Sequence, residues 1–365
     1  MAAVEPVSGE SWLMAETRYP VAPLTGFTSD LLAAAGMEHA KAQTVSQLLV
    51  LTDMLGRHTH GVALCPLYLE QLEKGLMTPC GEPECVRDNG AVVVWDGNYL
   101  PGLWLVQRAL GIAFERIATH GVVTFVMRRS HHIACLATLA KQATDRGYLA
   151  ILATSDPAFG FVAPYGGREP LLTPNPFAIG YPGTRAPVLV DICASITTVS
   201  MAREKAAVGE EFDHPWLLDA AGRPTRDPRV LEQTAPRGSL LLLGGLEYGH
   251  KGFGLALMVE ALTRGLSGLG RKDTEKRWGG NVFLQVLDPD AFAGREAFLA
   301  QMDHLTERCQ ANAPLREGVP VRMPGEQAER SIAAARERGV PLAEHTVQRL
   351  AGSAARFSLV MPAAL

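Results

Sequence analysis

Gly244-Gly245-Leu246-Glu247-Tyr248-Gly249-His250-Lys251-Gly252-Phe253-Gly254 opens an apolar helical run that continues through Leu262. Glycines let a ligand approach the backbone, and free N–H groups at a helix start favour anions. Lys251 adds a full positive charge beside them, so the stretch reads either as a phosphate or carboxylate cradle or as a glycine-rich connection with Lys251 in solvent. It is not a Walker loop, because His250 stands where that loop has lysine. The chain also lacks a GxGxxG after any strand pattern, so an ordinary Rossmann site has no support.

Working outward, four of the ten histidines fall in two short segments, Arg57-His58-Thr59-His60-Gly61 and Ser130-His131-His132. Imidazole has the side-chain pKa nearest neutrality, so histidines at element ends are first candidates for proton transfer or metal binding. His58 and His60 have a spacing that can chelate zinc, but no metallohydrolase-type motif accompanies them, and no metal is expected. His131 and His132 are adjacent and should point apart, making one of them structural or exposed. His39, His120, His214, His304 and His345 stand alone on polar stretches and read as solvated.

The 365 residues are 47% hydrophobic, enough for large cores and two or three domains. Lys+Arg 34 against Asp+Glu 38 gives a net charge of -4. With no long basic run, nucleic acid is not an expected partner, and small molecules are. Residues 1–20 show no apolar leader core and no stretch is long enough to span a bilayer, so no membrane is expected and the cytoplasm is the expected location. Cys65, Cys80, Cys85, Cys135, Cys193 and Cys309 form no CxxC pair and read as free thiols.

Periodicity predicts helices from Phe27 to Leu55, with N-caps offered by Thr28, Ser29 and Asp30, and another from Leu103 to Thr119. Strands are expected at Ala91–Trp95, Val122–Met127, Leu149–Ala153, Val188–Ile192, Leu240–Leu243 and Val282–Leu287. From Asp156 through Pro187 there are seven prolines. That segment reads as irregular and site-forming.

Thr59-His60-Gly61-Val62 followed by Pro66 and Tyr68, then Ser130-His131-His132, Pro174-Asn175-Pro176, Asp191 with Ser195, Gly249 to Leu255, Asp288-Pro289 and Pro324-Gly325-Glu326 resemble the successive motifs of the malate/L-lactate dehydrogenase family. The resemblance runs in order from about Asp53 to Glu326. It implies an α/β (α+β) fold whose nicotinamide dinucleotide domain, residues 128–314, is non-Rossmann and built on a mainly antiparallel or mixed sheet. A helical N-terminal region, 1–127, would carry the catalytic histidine and be completed by 315–365. It further implies NAD or NADP as cofactor and a homodimer whose active site lies between domains and subunits.

Residue by residue, His60 matches the family's proton donor, Thr59 replaces the serine that orients it, and His132 matches a second site histidine. Asp191, Ile192 and Ser195 resemble a cofactor-contacting strand end, His250 and Lys251 a pair that contacts the dinucleotide, and Gly325-Glu326 a late contact with it. The implied reaction moves a hydride between the cofactor and a small 2-hydroxy/2-oxo acid. The alternatives are reduction of a cyclic imine of the piperideine-2-carboxylate type and a catalytically weak cofactor-binding homologue. Four residues after its histidine the family carries an arginine that clamps the substrate carboxylate. Leu64 stands there in this chain, so either Arg57, Arg128 or Arg129 replaces it or the substrate is not an ordinary 2-oxo acid.

Overall fold

The computed structural model describes residues 17–273 and 277–365. Most of the N-terminal leader reading therefore lies outside the described residues. The strands are β1 (Thr17–Tyr19), β2 (Glu84–Asp88), β3 (Val92–Asp96), β4 (Val122–Ser130), β5 (Leu149–Ser155), β6 (Phe177–Tyr181), β7 (Val188–Ile192), β8 (Leu217–Leu218), β9 (Pro224–Thr225), β10 (Ser239–Leu240), β11 (Gly280–Leu287) and β12 (Val340–Leu342). The helices are α1 (Val21–Ala34), α2 (His39–Met54), α3 (Cys65–Glu73), α4 (Gly102–His120), α5 (Leu136–Thr144), α6 (Val199–Ala207), α7 (Gly245–Glu260), α8 (Arg295–Gln310), α9 (Glu326–Arg338) and α10 (Glu344–Arg356).

The central feature is a seven-stranded sheet in the order β2-β3-β4-β11-β5-β6-β7. Only β3 and β4 run parallel; the other pairs are antiparallel, so this α/β protein has a mixed sheet. α4 and α5 pack on one face, while the end of α7 and the π-helical turn Ala261–Gly265 cover the other. On that second face Val126, Ala153, Val259 and Phe283 form a buried cluster. Burial on both faces is why β4, β5 and β11 read as nearly continuous apolar runs.

α1, α2 and α3 form a helical body against α4, with α9 and α10 packed on it and β12 paired antiparallel to β1. The division at 127/128 falls inside β4, and the sheet takes β2 and β3 from one side of it. A smaller lobe holds the sheet β10-β8-β9 and a core that includes Val162, Phe212, Leu231 and Leu242.

Three local expectations are corrected. Thr28, Ser29 and Asp30 do not cap a helix: α1 begins at Val21, and Thr28 Oγ1 donates to Leu24 O inside it (2.8 Å). Pro23 is tolerated there because N–H groups in the first turn have no intrahelical acceptor to lose. Leu240–Leu243 is not a continuous strand, because alternate N–H groups go to opposite neighbours, Leu241 N–H to Trp216 O (2.9 Å) and Leu243 N–H to Ala194 O (2.8 Å). The proline-rich stretch contains β6, which occupies the five residues between Pro176 and Pro182.

At the end of β4, Arg128 Nε and Arg129 Nε each donate to the buried Asp96 carboxylate at 2.8 Å. Burial alone would raise the Asp96 pKa, but Arg129, the Asn98 N–H and Arg128 together hold it below the ordinary value. This stability is present above the unfolded carboxylate pKa and is lost as pH falls through the folded one. Asp96→Asn should lower stability by about 2 kcal/mol at neutral pH, since charge-assisted hydrogen bonds to half-exposed arginines are lost. Urea titrations should show the gap to wild type closing below about pH 4.

Candidate active site

The site is built from the end of α2. Asp53, in its last turn, is 2% exposed; its Oδ2 accepts the Val62 N–H at 2.7 Å and its Oδ1 lies 3.3 Å from His58 Nδ1. Burial raises its pKa, partly opposed by His58 and the Val62 N–H. A Cβ on Gly61 would lie 2.2 Å from that carboxylate, so the close approach requires glycine. The chain then makes a 3₁₀ turn, His58–His60. In it His58 turns to Asp53, while Thr59 Oγ1 meets His60 Nδ1 at 2.7 Å.

The second histidine arrives from the end of β4. His132 Nδ1 bonds the Tyr68 hydroxyl of α3 at 2.9 Å, and its ring stacks on Trp278 with centroids 4.9 Å apart and planes at 25°. The His60 and His132 rings are 6.2 Å apart. Each therefore has Nδ1 engaged and keeps Nε2 for a ligand. Burial lowers the His60 pKa; Asp191 opposes that shift and Arg57 adds to it. His132 is held well below the ordinary value by burial, by His60 and by His131.

His131 is fully buried, edge-on to Trp278 at 4.9 Å and to Tyr68 at 5.8 Å. Burial and the Arg277 charge push it down to about 3, so it stays neutral. Both rings of the pair touch the same two aromatics, but only His132 faces His60. Among the described residues no group of three His, Cys, Asp or Glu is arranged to hold a metal ion.

The remaining candidates fall into two neighbourhoods along β7. At its end, Asp191 Oδ2 accepts the Ala137 N–H (2.9 Å) at the start of α5 and the Cys135 thiol (3.4 Å), where the helix dipole favours a carboxylate. Ile192 beside it is 40% exposed. Ser195 is buried and its hydroxyl donates to Thr197 O (2.7 Å), which leaves its oxygen as an acceptor. α7 docks on this segment through Gly252, where a Cβ would lie 2.6 Å from Leu243 N and O and 2.8 Å from Ala194 O. That brings His250 and Lys251 near the end of β7.

His250 and Lys251 occupy the second turn of α7, not its free N–H groups, and both side chains are exposed. Lys251 Nζ lies 5.3 Å from the Tyr248 ring centroid. Gly325 and Glu326 lie at the other neighbourhood, near the start of β7: Leu189 N–H donates to Pro324 O (3.1 Å), and Glu326 contacts Gln310 and Arg330. Asp53, Tyr68 and Trp278 were not singled out as site residues from sequence. Tyr68 had a signal in the Pro66…Tyr68 motif, whereas nothing local marks Trp278.

Comparisons with known proteins agree with this architecture. The family model described as malate/L-lactate dehydrogenase matches residues 19–351. The L-lactate dehydrogenase of Cupriavidus necator is 32% identical, with 81% of this chain and 86% of that protein covered. The L-sulfolactate dehydrogenase of Methanothermobacter thermautotrophicus is 28% identical over 90% and 94% of the two chains. A solved structure of a putative malate/lactate dehydrogenase from E. coli superposes with a TM-score of 0.85 at 25% identity, covering 94% and 96%. Fold and relatives define the class, an oxidoreductase acting on a CH–OH group. The chain belongs to the malate/L-lactate dehydrogenase family.

Gly61→Ala should force Asp53 away from the Val62 N–H. Overpacking of this kind costs about 1–3 kcal/mol, so the melting temperature should fall, and turnover should fall further as the His60 turn shifts.

Proposed function

We propose that this protein transfers a hydride between a nicotinamide dinucleotide, NAD or NADP, and C2 of a small 2-hydroxy/2-oxo acid, with His60 as the proton donor in reduction. The observation that carries this reading is the facing pair of imidazoles, each fixed at Nδ1 by a hydroxyl and open at Nε2. As hydride reaches carbon, charge develops on oxygen, and a proton from Nε2 lowers the barrier. Thr59 holds the His60 ring in place, and His132 takes a polar contact from the opposite side. Asp191 favours the protonated form of His60, so this histidine gains the proton in preference to His132.

The bound dinucleotide would supply the redox chemistry. Lys251 offers positive charge and His250 a ring N–H to its phosphates, Ile192 an apolar surface at the strand end, and Gly325-Glu326 a contact near the start of β7. We assign dinucleotide binding to residues 128–314, without a Rossmann motif, and the catalytic histidine to 1–127 completed by 315–365. A homodimer with a shared site is supported by the exposed small and apolar stripe Gly254, Leu257, Met258, Ala261 and Gly265, at helical spacing along α7 and the turn after it. No helix among the described residues is long and apolar enough to cross a membrane. Reduction of a cyclic imine of the piperideine-2-carboxylate type is the second reading; such an imine also carries a carboxylate beside the reacting carbon, so Leu64 does not separate the two.

The test is consumption of NADH or NADPH with a panel of 2-oxo acids and cyclic imines, followed by absorbance. No turnover with any member sinks the assignment. His60→Ala should reduce turnover about 100- to 10,000-fold with nearly unchanged cofactor affinity. Because the His60 pKa lies below 6.5, wild-type kcat/KM for reduction should rise as pH falls below neutrality, and for oxidation it should level off above that value. A flat profile over that range would remove His60 from the proton path.

Lys251→Ala should weaken NADH or NADPH binding in a fluorescence titration about tenfold while kcat at saturation changes little, as loss of one charge contact with a phosphate requires.

A further inference from the structure

A 2-oxo acid reduced at His60 carries its carboxylate on the carbon next to the reacting one, so a cation must lie within a side chain's reach of His60 Nε2. Leu64 cannot provide it and packs, partly buried, against the helical core. Arg128 and Arg129 are committed to Asp96. Arg277 donates to Gly75 O (3.0 Å) and Leu76 O (2.6 Å) and lies over the Tyr99 ring. Lys141 is taken by Asp145 and Glu329, both at 2.8 Å.

Arg57 differs from all of these. It is exposed and immediately precedes the 3₁₀ turn that carries His60, and the His60 N–H donates to Arg57 O at 2.9 Å. That bond closes a four-residue turn whose two ends lie within about 7 Å of each other. Its charge acts on both His60 and Cys135, lowering the pKa of each. Cys135 is itself bonded to Asp191, so the groups on which the Arg57 charge acts lie at the Asp191 end of the site. The Asp191 carboxylate is met there by the Ala137 N–H and the Cys135 thiol, and no ion pair of Arg57 exists among the described residues.

We propose that Arg57 is the specificity-determining residue of this site, its planar guanidinium taking the substrate carboxylate through paired N–H···O bonds while His60 Nε2 faces the adjacent C2 oxygen. The inference rests on the hydride-transfer reading and narrows its substrates to carboxylates. It moves the recognition of the acid from a position after the histidine to one before it. The geometry of a planar fork matters as much as the charge, because a carboxylate held at two oxygens also fixes the direction in which C2 presents its own oxygen. An exposed guanidinium is worth little to stability, so its removal leaves folding alone.

The test uses the full-length protein and titration calorimetry with oxamate, a 2-oxo-acid mimic that is not reduced, and its uncharged counterpart oxamide, each in the presence of NADH and of NADPH. Wild type should bind oxamate well above oxamide. Arg57→Ala should lose about 10- to 100-fold in oxamate affinity, the range of hydrogen bonds to a charged group, with oxamide, the dinucleotides and melting temperature unchanged. Arg57→Lys should recover part of the loss. In turnover, KM for the preferred acid should rise in the alanine variant while KM for its amide does not. Equal affinity of wild type and Arg57→Ala for oxamate, an equal loss on oxamate and oxamide, or no oxamate binding by wild type overturns the proposal. Selective oxamate binding that depends on Arg57, without turnover of any panel member, leaves Arg57 in place and overturns the hydride-transfer reading instead.

Discussion

The ladder of β11 between β4 and β5 is the constraint on which the site depends. Its register pairs Gly280 with Ser130 on one side and Asn281 with Ser155 on the other. Trp278, two residues before the strand, is thereby delivered to the end of β4, where His132 follows. A shift of one residue would turn every side chain of this doubly buried strand to the opposite face, so the register is firmly specified. Trp278 then acts as a wall: one face takes His132, an edge contact takes His131, and Tyr68 closes the box from α3.

Within that box the electrostatics are asymmetric. Two imidazoles with centroids 6.2 Å apart cannot both be charged cheaply in a partly desolvated space. Burial disfavours the charge on either one, and only His60 has a carboxylate acting in its favour. The single proton the pair can hold therefore has a preferred address, set by Asp191 at the end of β7. The start of α5 holds the Asp191 carboxylate in that place with the Ala137 N–H.

What was legible in the sequence follows the range of the interactions involved. β4, β5 and β11 were readable because burial on both faces leaves a continuous apolar run, β7 because its buried start is apolar, and α4 because its apolar stripe has helical period. The start of α1 was not, since Thr28 and Ser29 look like caps until one knows that Pro20 and Pro23 already begin the helix. β6 was hidden by flanking prolines that lie just outside its ladder. At the site, His60 and His132 stood out as histidines at element ends. Their partners did not: the contact of Tyr68 with His132 spans 64 residues and that of Trp278 spans more, and no local pattern encodes either. Nor could sequence show that the Ser195 hydroxyl donates to Thr197 O, a contact set by the turn after β7.

The pairing of β1 with β12 joins Tyr19 to Val340, and Leu365 N–H reaches back to Arg18 O. The two ends of the described chain are thus stitched into one ribbon, and the helical body that holds His60 is sealed by elements that follow the whole central sheet in the chain. All the strands of the central sheet lie between them, within residues 84–287, and can pair before β12 exists. Vectorial synthesis therefore separates assembly of the scaffold from closure of the helical body. A nascent chain would carry a nearly complete sheet for a time while β1 waits, unpaired, for a partner more than 300 residues downstream.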